Sequence, residues 1–194
     1  MPFTPTSFPG LLIYEPAVFQ DDRGYFFESY NERVFGDAGI AISFIQDNQA
    51  RSVQGVLRGL HYQRPPYAQT KLIRVLEGEI MDVAVDIRRG SPTYGTVFTL
   101  RLSAENKKQL LIPKGFAHGY AVLSPTAEVA YKCDTLYNQS SEGGIIYNDP
   151  TLGIDWGIAE ETAIISAKDQ QWLPLSAHPS PFSFQGAQPM AVAG

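Results

Sequence analysis

Between residues 40 and 137 turn residues divide the chain into strand-length runs, and this punctuation limits the fold more than any other feature. The runs read "ISFIQDNQARS", "GVLRGLHYQ", "TKLIRVLEG", "EIMDVAVDIR", "GTVFTLRLS", "KQLLIP", "GYAVLS" and "AEVAYKCDTLY". Glycine and proline punctuate them in "LEGE", "RRGSPTYG" and "PKGFAHG". Short runs separated by turns are the pattern of a β-sandwich or barrel, in which each strand crosses the core once and reverses. In "EIMDVAVDI", Met81, Val83, Val85 and Ile87 alternate with Asp82 and Asp86, which predicts a strand with one face buried and the aspartates on the other. The 10 Tyr and 11 Phe beside 17 Gly and 14 Pro favour short strands over long helices, so the expected class is all-β.

A chain of 194 residues, 44% hydrophobic, has material for one domain with a substantial core. One domain is expected over residues 1–183, with the Gly/Ala/Pro-rich stretch 184–194 as a loose tail. The opening "MPFTPTSFPG" carries three prolines in nine residues and is expected to be extended and weakly ordered unless it docks on something. "GLLIYEPAVFQDDRGYFFESY" reads as two strands about the turn "DDRG". "NERVFGDAG" reads as a short helix closed by Gly39, an ornament on the β fold.

The formal charge of -5 argues against general affinity for nucleic-acid backbones, which rests on a cationic field, so any phosphate contact has to be local. The lone Cys133 leaves no intramolecular disulfide, and no segment joins a basic n-region to an apolar h-region. Apolar runs fall far short of the roughly 20 residues of a membrane-spanning helix. A cytoplasmic, soluble protein with no nucleic-acid or membrane partner is the expectation.

"GVLRGLHYQ" places Arg58 and His61 where a plain core strand has no use for them. Three positions apart, they point to opposite faces of an uninterrupted strand, so a shared pocket requires a bulge or kink at Gly59. Charged groups brought into a barrel need partners or a ligand. With Lys71, "DDRG" and the "QDN" run nearby in sequence, an anionic ligand would meet that need. The histidines are His61, His118 and His178. A metal-binding double-stranded β-helix uses two histidines one residue apart and then a carboxylate; "HYQ" puts Gln63 at the second position, which argues against metal catalysis. In "SAKDQQW", Lys168 and Asp169 read either as a solvated loop or as a carboxylate turned inward to orient His61. Tyr131, Cys133, Thr135 and Tyr137 share one face of a continued strand, with the tyrosines roughly 20 Å apart. One would sit deep in the barrel and the other at its mouth, unless both are core aromatics.

Taken together, "DDRGYFFESY", "QDNQARS", "GVLRGLHYQRPP", "QTKLIRVLEGEIMDVAVDIRRGSPTYG", "LSAENKKQLLIPKGFAHGYAVLS", "AEVAYKC", "NDPTLGIDW" and "SAKD" closely resemble, in collinear order over roughly residues 8 to 182, the dTDP-4-dehydrorhamnose 3,5-epimerase family. The resemblance implies a cupin-type jelly-roll barrel (a double-stranded β-helix) with a few short helices, a homodimer, and no metal or cofactor. It implies His61 as general base, Asp169 as its orienting partner, Tyr131 as general acid and Lys71 near the sugar carbonyl. Arg23, Glu28, Gln46, Asp47, Asn48, Arg58, His118, Glu142 and Lys168 would bind the dTDP-sugar, and Tyr137 would stack on thymine.

The implied substrate is dTDP-4-dehydro-6-deoxy-D-glucose, whose C3 and C5 both flank the C4 ketone, and the implied product is dTDP-4-dehydro-L-rhamnose. Inversion needs a base and an acid on opposite sides of the ring. A neutral imidazole, ordinary pKa about 6.5, suits the first role and a phenol, near 10, the second. Arg58 would grip the diphosphate through charge-assisted hydrogen bonds. The alternatives are a single-site 3- or 5-epimerase or ketoisomerase on the same fold, a non-catalytic sugar-nucleotide-binding cupin, and a metal-dependent oxygenase.

Overall fold

The computed structural model describes residues 2–177 and 179–186. The tail expected over 184–194 therefore lies outside the described residues from 187 onward, as does His178. The strands are β1 (Phe3–Pro5), β2 (Leu12–Tyr14), β3 (Phe19–Asp21), β4 (Gly24–Phe26), β5 (Gln46–Val53), β6 (Val56–Gln63), β7 (Lys71–Glu77) and β8 (Glu79–Asp86). They continue with β9 (Arg88–Arg89), β10 (Val97–Ser103), β11 (Gln109–Ile112), β12 (Phe116–Val122), β13 (Thr126–Cys133), β14 (Glu142–Gly144), β15 (Ile164–Ile165) and β16 (Phe182–Ser183). Among the described residues the only α-helix is α1 (Glu32–Asp37), with short 3-10 turns near the C-terminal end, including Asp169–Gln171.

One sheet runs β1-β2-β11-β7-β13-β5 and the other β10-β8-β12-β6-β14, with β15 added parallel to β6. From β5 to β13 the chain alternates between the sheets at almost every turn, which winds it into the expected jelly-roll barrel. The inner faces meet in a core of Ile73, Val75, Ile80, Ala84, Leu102, Leu110, Val122 and Val129. The outer face of the second sheet is covered by the segment carrying Trp156, Leu175 and Phe182, which pack on Leu57, Leu60, Val83 and Val85.

That second layer corrects the reading of β8. The period of two is present, but Asp82 and Asp86 are both fully buried, because they face the barrel interior while Val83 and Val85 face the covering segment. A strand central in its sheet and covered on both sides has no solvent face for its polar residues. The helix is likewise more than an ornament. The Asn31 side chain accepts from the Arg33 and Val34 amides (3.1 and 3.4 Å). At the other end Gly39, at φ 78°, lets its own amide reach the Gly36 carbonyl (2.9 Å) and the Ile40 amide reach the Phe35 carbonyl (2.9 Å), a Schellman closure. Phe35 is thereby driven into a third core with Phe3, Leu12, Tyr14 and Leu111. Phe3 belongs to the proline-rich opening, so β1 docks on β2 of its own chain and forms the sheet edge.

Asp86 shows how a carboxylate survives in the interior. It accepts from Arg88 Nε (2.9 Å), Arg88 Nη2 (2.7 Å), Ser91 Oγ (2.6 Å), Thr93 Oγ1 (2.7 Å) and the Arg88 amide (2.9 Å). Burial by itself would raise its pKa, but hydrogen bonds from Arg88, Ser91 and Thr93 outweigh that and hold it below the ordinary carboxylate value. Its stabilisation is therefore complete above the unfolded-state pKa of about 3.9 and is lost as pH falls through the lower folded-state value. Replacing Asp86 by Ala leaves Arg88 buried and unpaired, and is expected to cost about 3 to 5 kcal/mol in denaturant unfolding. In Asp86→Asn the acid-side loss of stability should flatten over the same window.

Candidate active site

The site begins with an extra residue in β6. On β12, His118 stands opposite His61 and Tyr120 opposite Arg58, so two steps of β12 are matched by three of β6. Positions 118 and 120 share a face, and the bulge therefore turns Arg58 and His61 to that same inner side. Gly59, at φ 124°, makes the turn, and a side chain there would meet the Gly119 Cα at 2.6 Å. The kink expected at Gly59 is present.

His61 Nε2 lies 2.7 Å from Asp169 Oδ1. Asp169 comes from the 3-10 turn Asp169–Gln171, whose first amide donates to Ser166 Oγ (3.1 Å). Its second oxygen accepts from the Gly59 amide (3.3 Å), so one buried carboxylate ties the bulge and the imidazole together. Burial would raise the Asp169 pKa, but the hydrogen bond and charge of His61 and the bonds from Gly59 and Ser166 bring it below the ordinary value. The ionised carboxylate can only accept, so it favours the tautomer in which Nε2–H donates to it and Nδ1 carries the lone pair. The inward-turned reading of "SAKD" therefore holds over the solvated loop.

Arg58, His61, Lys71, His118, Tyr120, Tyr131, Lys168 and Asp169 line one cleft of about 500 Å³, within the usual size for a small-molecule site. Lys71 Nζ lies 5.9 Å from the centre of the Tyr131 ring. Burial pulls the Lys71 ammonium down from its ordinary value, partly opposed by Cys133, Asp82 and Glu142. The same desolvation pushes the Tyr131 phenol up. His118 is buried with Nε2 2.9 Å from Asp82 Oδ2.

A second cleft continues outward past Gln46, Asn48, His61, Lys71, Tyr131, Tyr137 and Glu142. Tyr137 is exposed at this mouth, its hydroxyl donating to Glu142 Oε2 (3.2 Å). Glu142 also pairs with Lys168, linking the mouth to the Asp169 turn. Tyr131 and Tyr137 do not, however, share one strand. β13 stops at Cys133, where the Asp134 carboxylate accepts the Thr70 amide (2.7 Å) and pairs with Lys114 (3.0 Å). Side-chain amides then hold the following loop: Gln69 donates to the Thr135 carbonyl (2.7 Å), and Gln63 donates to the Leu136 carbonyl (3.2 Å) and accepts from the Asn138 amide (2.6 Å). Gln63, at the position of a second metal ligand, is thus spent on the loop that carries Tyr137. Among the described residues no three His, Cys, Asp or Glu side chains are grouped as metal ligands.

Three of the expected binding residues are not brought to this cleft. Asp47 alternates with Gln46 and Asn48 along β5, so it faces outward and pairs with Lys132 (3.0 Å). Arg23 sits on the β3–β4 hairpin, which pairs with neither barrel sheet, and its side chain is 89% exposed with Asp21 as partner. Glu28 accepts from Asn31 beside the helix start. Sequence reasoning also missed residues that the cleft does contain or rest on: Tyr120, Asp82 behind His118, and Ser52, which accepts from Arg58 Nε (3.2 Å). Each looked like an ordinary strand residue, and only strand register reveals the shared face.

The sequence matches the family model described as dTDP-4-dehydrorhamnose 3,5-epimerase over residues 5–177. It is 53% identical over 172 residues to the dTDP-4-dehydrorhamnose 3,5-epimerase of Pseudomonas aeruginosa, covering 88% of this chain and 94% of that one. The protein of that name from Methanothermobacter thermautotrophicus is 49% identical over 178 residues, covering 91% and 96%. Among solved structures, the dTDP-6-deoxy-D-glucose-3,5-epimerase of Legionella pneumophila, in complex with dTDP-4-keto-L-rhamnose, superposes with a TM-score of 0.90 at 46% identity, covering 95% of this chain and 98% of that one. Among the described residues no helix is long and apolar enough to cross a membrane. With its barrel, its His61–Asp169 pair and a match along nearly its whole length, this chain belongs to the dTDP-4-dehydrorhamnose 3,5-epimerase family.

Proposed function

We propose that this protein epimerises dTDP-4-dehydro-6-deoxy-D-glucose at C3 and C5, giving dTDP-4-dehydro-L-rhamnose through an enolate. The observation that carries the reading is an imidazole hydrogen-bonded at 2.7 Å to a buried carboxylate, in a cleft it shares with a phenol and an ammonium. His61 Nδ1 removes the proton from a ring carbon next to the ketone, and Asp169 stabilises the imidazolium that results. The electron pair moves onto the C4 oxygen, where Lys71 meets the developing charge. Burial makes the Lys71 ammonium costly until such an anion faces it. Tyr131, kept protonated by burial, returns a proton from the opposite side of the ring. Protonation of the enolate carbon there inverts the centre, and once His61 has released its proton to water and Tyr131 has regained one from water the same groups serve the second carbon.

Arg58 grips the diphosphate, Tyr137 stacks on the thymine at the mouth, and Gln46, Asn48, His118, Glu142 and Lys168 complete the contacts. Arg23 and Glu28 belong to the nucleotide site only in a homodimer. The β3–β4 hairpin that carries Arg23 and precedes Glu28 exposes Phe19 (66%), Tyr25 (60%) and Phe26 (66%), an apolar surface suited to a second copy, across whose cleft mouth it would carry Arg23.

An NMR time course with dTDP-4-dehydro-6-deoxy-D-glucose in D2O should show deuterium at both C3 and C5 of an inverted product; label at one carbon alone would reject the 3,5 assignment. His61→Asn should lower that exchange by about 10²- to 10⁴-fold while dTDP affinity and the melting temperature hold. Full activity in that variant would leave only a binding role. Lys71→Met should reduce kcat by about 10²- to 10³-fold, the usual loss when one enolate-stabilising group is removed. Light scattering should report twice the chain mass, and Phe19→Asp with Phe26→Asp should halve it and raise KM; a monomeric parent protein would refute the dimer.

A further inference from the structure

Leu136 and Tyr137 stand out at the cleft mouth, 58% and 56% exposed, on a stretch with which no strand pairs among the described residues: β13 ends at Cys133 and β14 begins at Glu142. Burial does not order such a loop, so hydrogen bonds have to. Gln63, the last residue of β6 and 5% exposed, supplies three of them. Its Nε2 donates to the Leu136 carbonyl (3.2 Å) and the Tyr67 carbonyl (2.7 Å), and its Oε1 accepts from the Asn138 amide (2.6 Å). These backbone partners are donor or acceptor by nature, so only one orientation of the Gln63 amide satisfies them. One side chain thus holds the residues immediately before and after Tyr137, as a neighbouring strand would. The Tyr137 amide itself donates to Gln46 Oε1 (2.9 Å), and Gln69 donates to the Thr135 carbonyl (2.7 Å).

We infer that Gln63 is a positioning residue for the nucleotide, fixing Tyr137 at the cleft mouth before the ligand arrives. The inference rests on the reading of Tyr137 as the platform for thymine. A side chain or loop that becomes immobile only on binding subtracts from what the contact gains, so a stacking face is worth most when it is ordered in the free protein. Gln63 does that ordering through the backbone and leaves the ring itself open to the base. It lies two positions beyond His61 on β6 and therefore on the same face of the strand. With Arg58 turned to that face by the bulge, one strand serves all three parts of the ligand: the diphosphate through Arg58, the sugar ring through His61 and the base, indirectly, through Gln63.

Gln63→Met keeps the length of the side chain, removes its hydrogen bonds and leaves Arg58, His61, Lys71 and Tyr131 in place. Its affinity for dTDP should fall about threefold to tenfold, the cost of ordering the tyrosine on binding instead of beforehand. KM for the dTDP-sugar should rise in step while kcat holds, because the loss is common to ground state and transition state. In a Tyr137→Ala background, itself weakened about tenfold by loss of stacking, Gln63→Met should cost dTDP affinity nothing more. Parent-like dTDP affinity in Gln63→Met overturns the inference. So does a fall in kcat, or an equal loss of affinity in both backgrounds, since either marks a role in the barrel at large. Should Gln63→Met not fold, Gln63→Asn, polar but one methylene shorter, takes the same measurements with the same losses expected. Parent-like dTDP binding by Tyr137→Ala removes the stacking role and the inference with it, whereas a weakened Tyr137→Ala beside an unaltered Gln63→Met removes only the role of Gln63. Affinity for dTDP is read without turnover, so this result stands apart from whether the parent protein inverts both carbons.

Discussion

One surplus residue in one strand organises this barrel's chemistry. Because β6 takes three steps where β12 takes two, Arg58 and His61 look the same way, and the amide of Gly59 is freed to bind Asp169. The carboxylate that steadies the backbone of the bulge also holds His61 at 2.7 Å. Strand geometry and imidazole orientation are thus coupled through a single buried group. An imidazole held by a carboxylate that is itself held by the backbone has little freedom to leave its position, which suits the proton transfer proposed for it.

The barrel interior is divided rather than uniformly apolar. One part is packed with Leu102, Leu110, Ile112, Phe116 and other apolar side chains, and the other carries Arg58, His61, Lys71, Asp82, His118 and two phenols. Two buried aspartates of β8 illustrate the difference. Asp86 is saturated by Arg88, Ser91 and Thr93 and serves the fold. Asp82 has one oxygen on His118 and, among the described residues, the other without a partner. Saturated polar groups stabilise, whereas unsaturated ones lower stability and remain open to something that binds. The unpaired oxygens of Asp82 and Tyr120 both face the cleft side of the barrel, so stability is given up where ligand chemistry is proposed.

Much of the barrel was legible in the chain. Five strands, β6, β7, β8, β10 and β11, lie wholly within runs recognised by turn residues and period two, β5, β12 and β13 overlap such runs, and the α1 boundaries follow from Asn31 and Gly39. The errors have a common cause. Alternation tells which residues share a face but not what covers that face, so Asp82 and Asp86 were assigned to an open side that a later segment closes. Strand ends were misjudged where long-range contacts end them, as at Cys133, after which Asp134 is tied to Thr70 and Lys114. Asp47 was grouped with Gln46 and Asn48 as one run, although the pleat separates it from them.

The sequence by itself determined the class of fold, the strand segments, the need for a kink at Gly59 and, through its motif resemblance, the family and the groups proposed to react. These are local properties, carried by turn chemistry, by periodicity and by residue types in order along the chain. Only the tertiary structure decided which groups meet. It joined Asp169 to His61 across 108 residues, turned Asp47 and Arg23 away from the cleft, and set Tyr120 between Arg58 and Asp82. Such pairings depend on register between strands distant in sequence, and register is chosen by the packing of the whole core and not by any one segment.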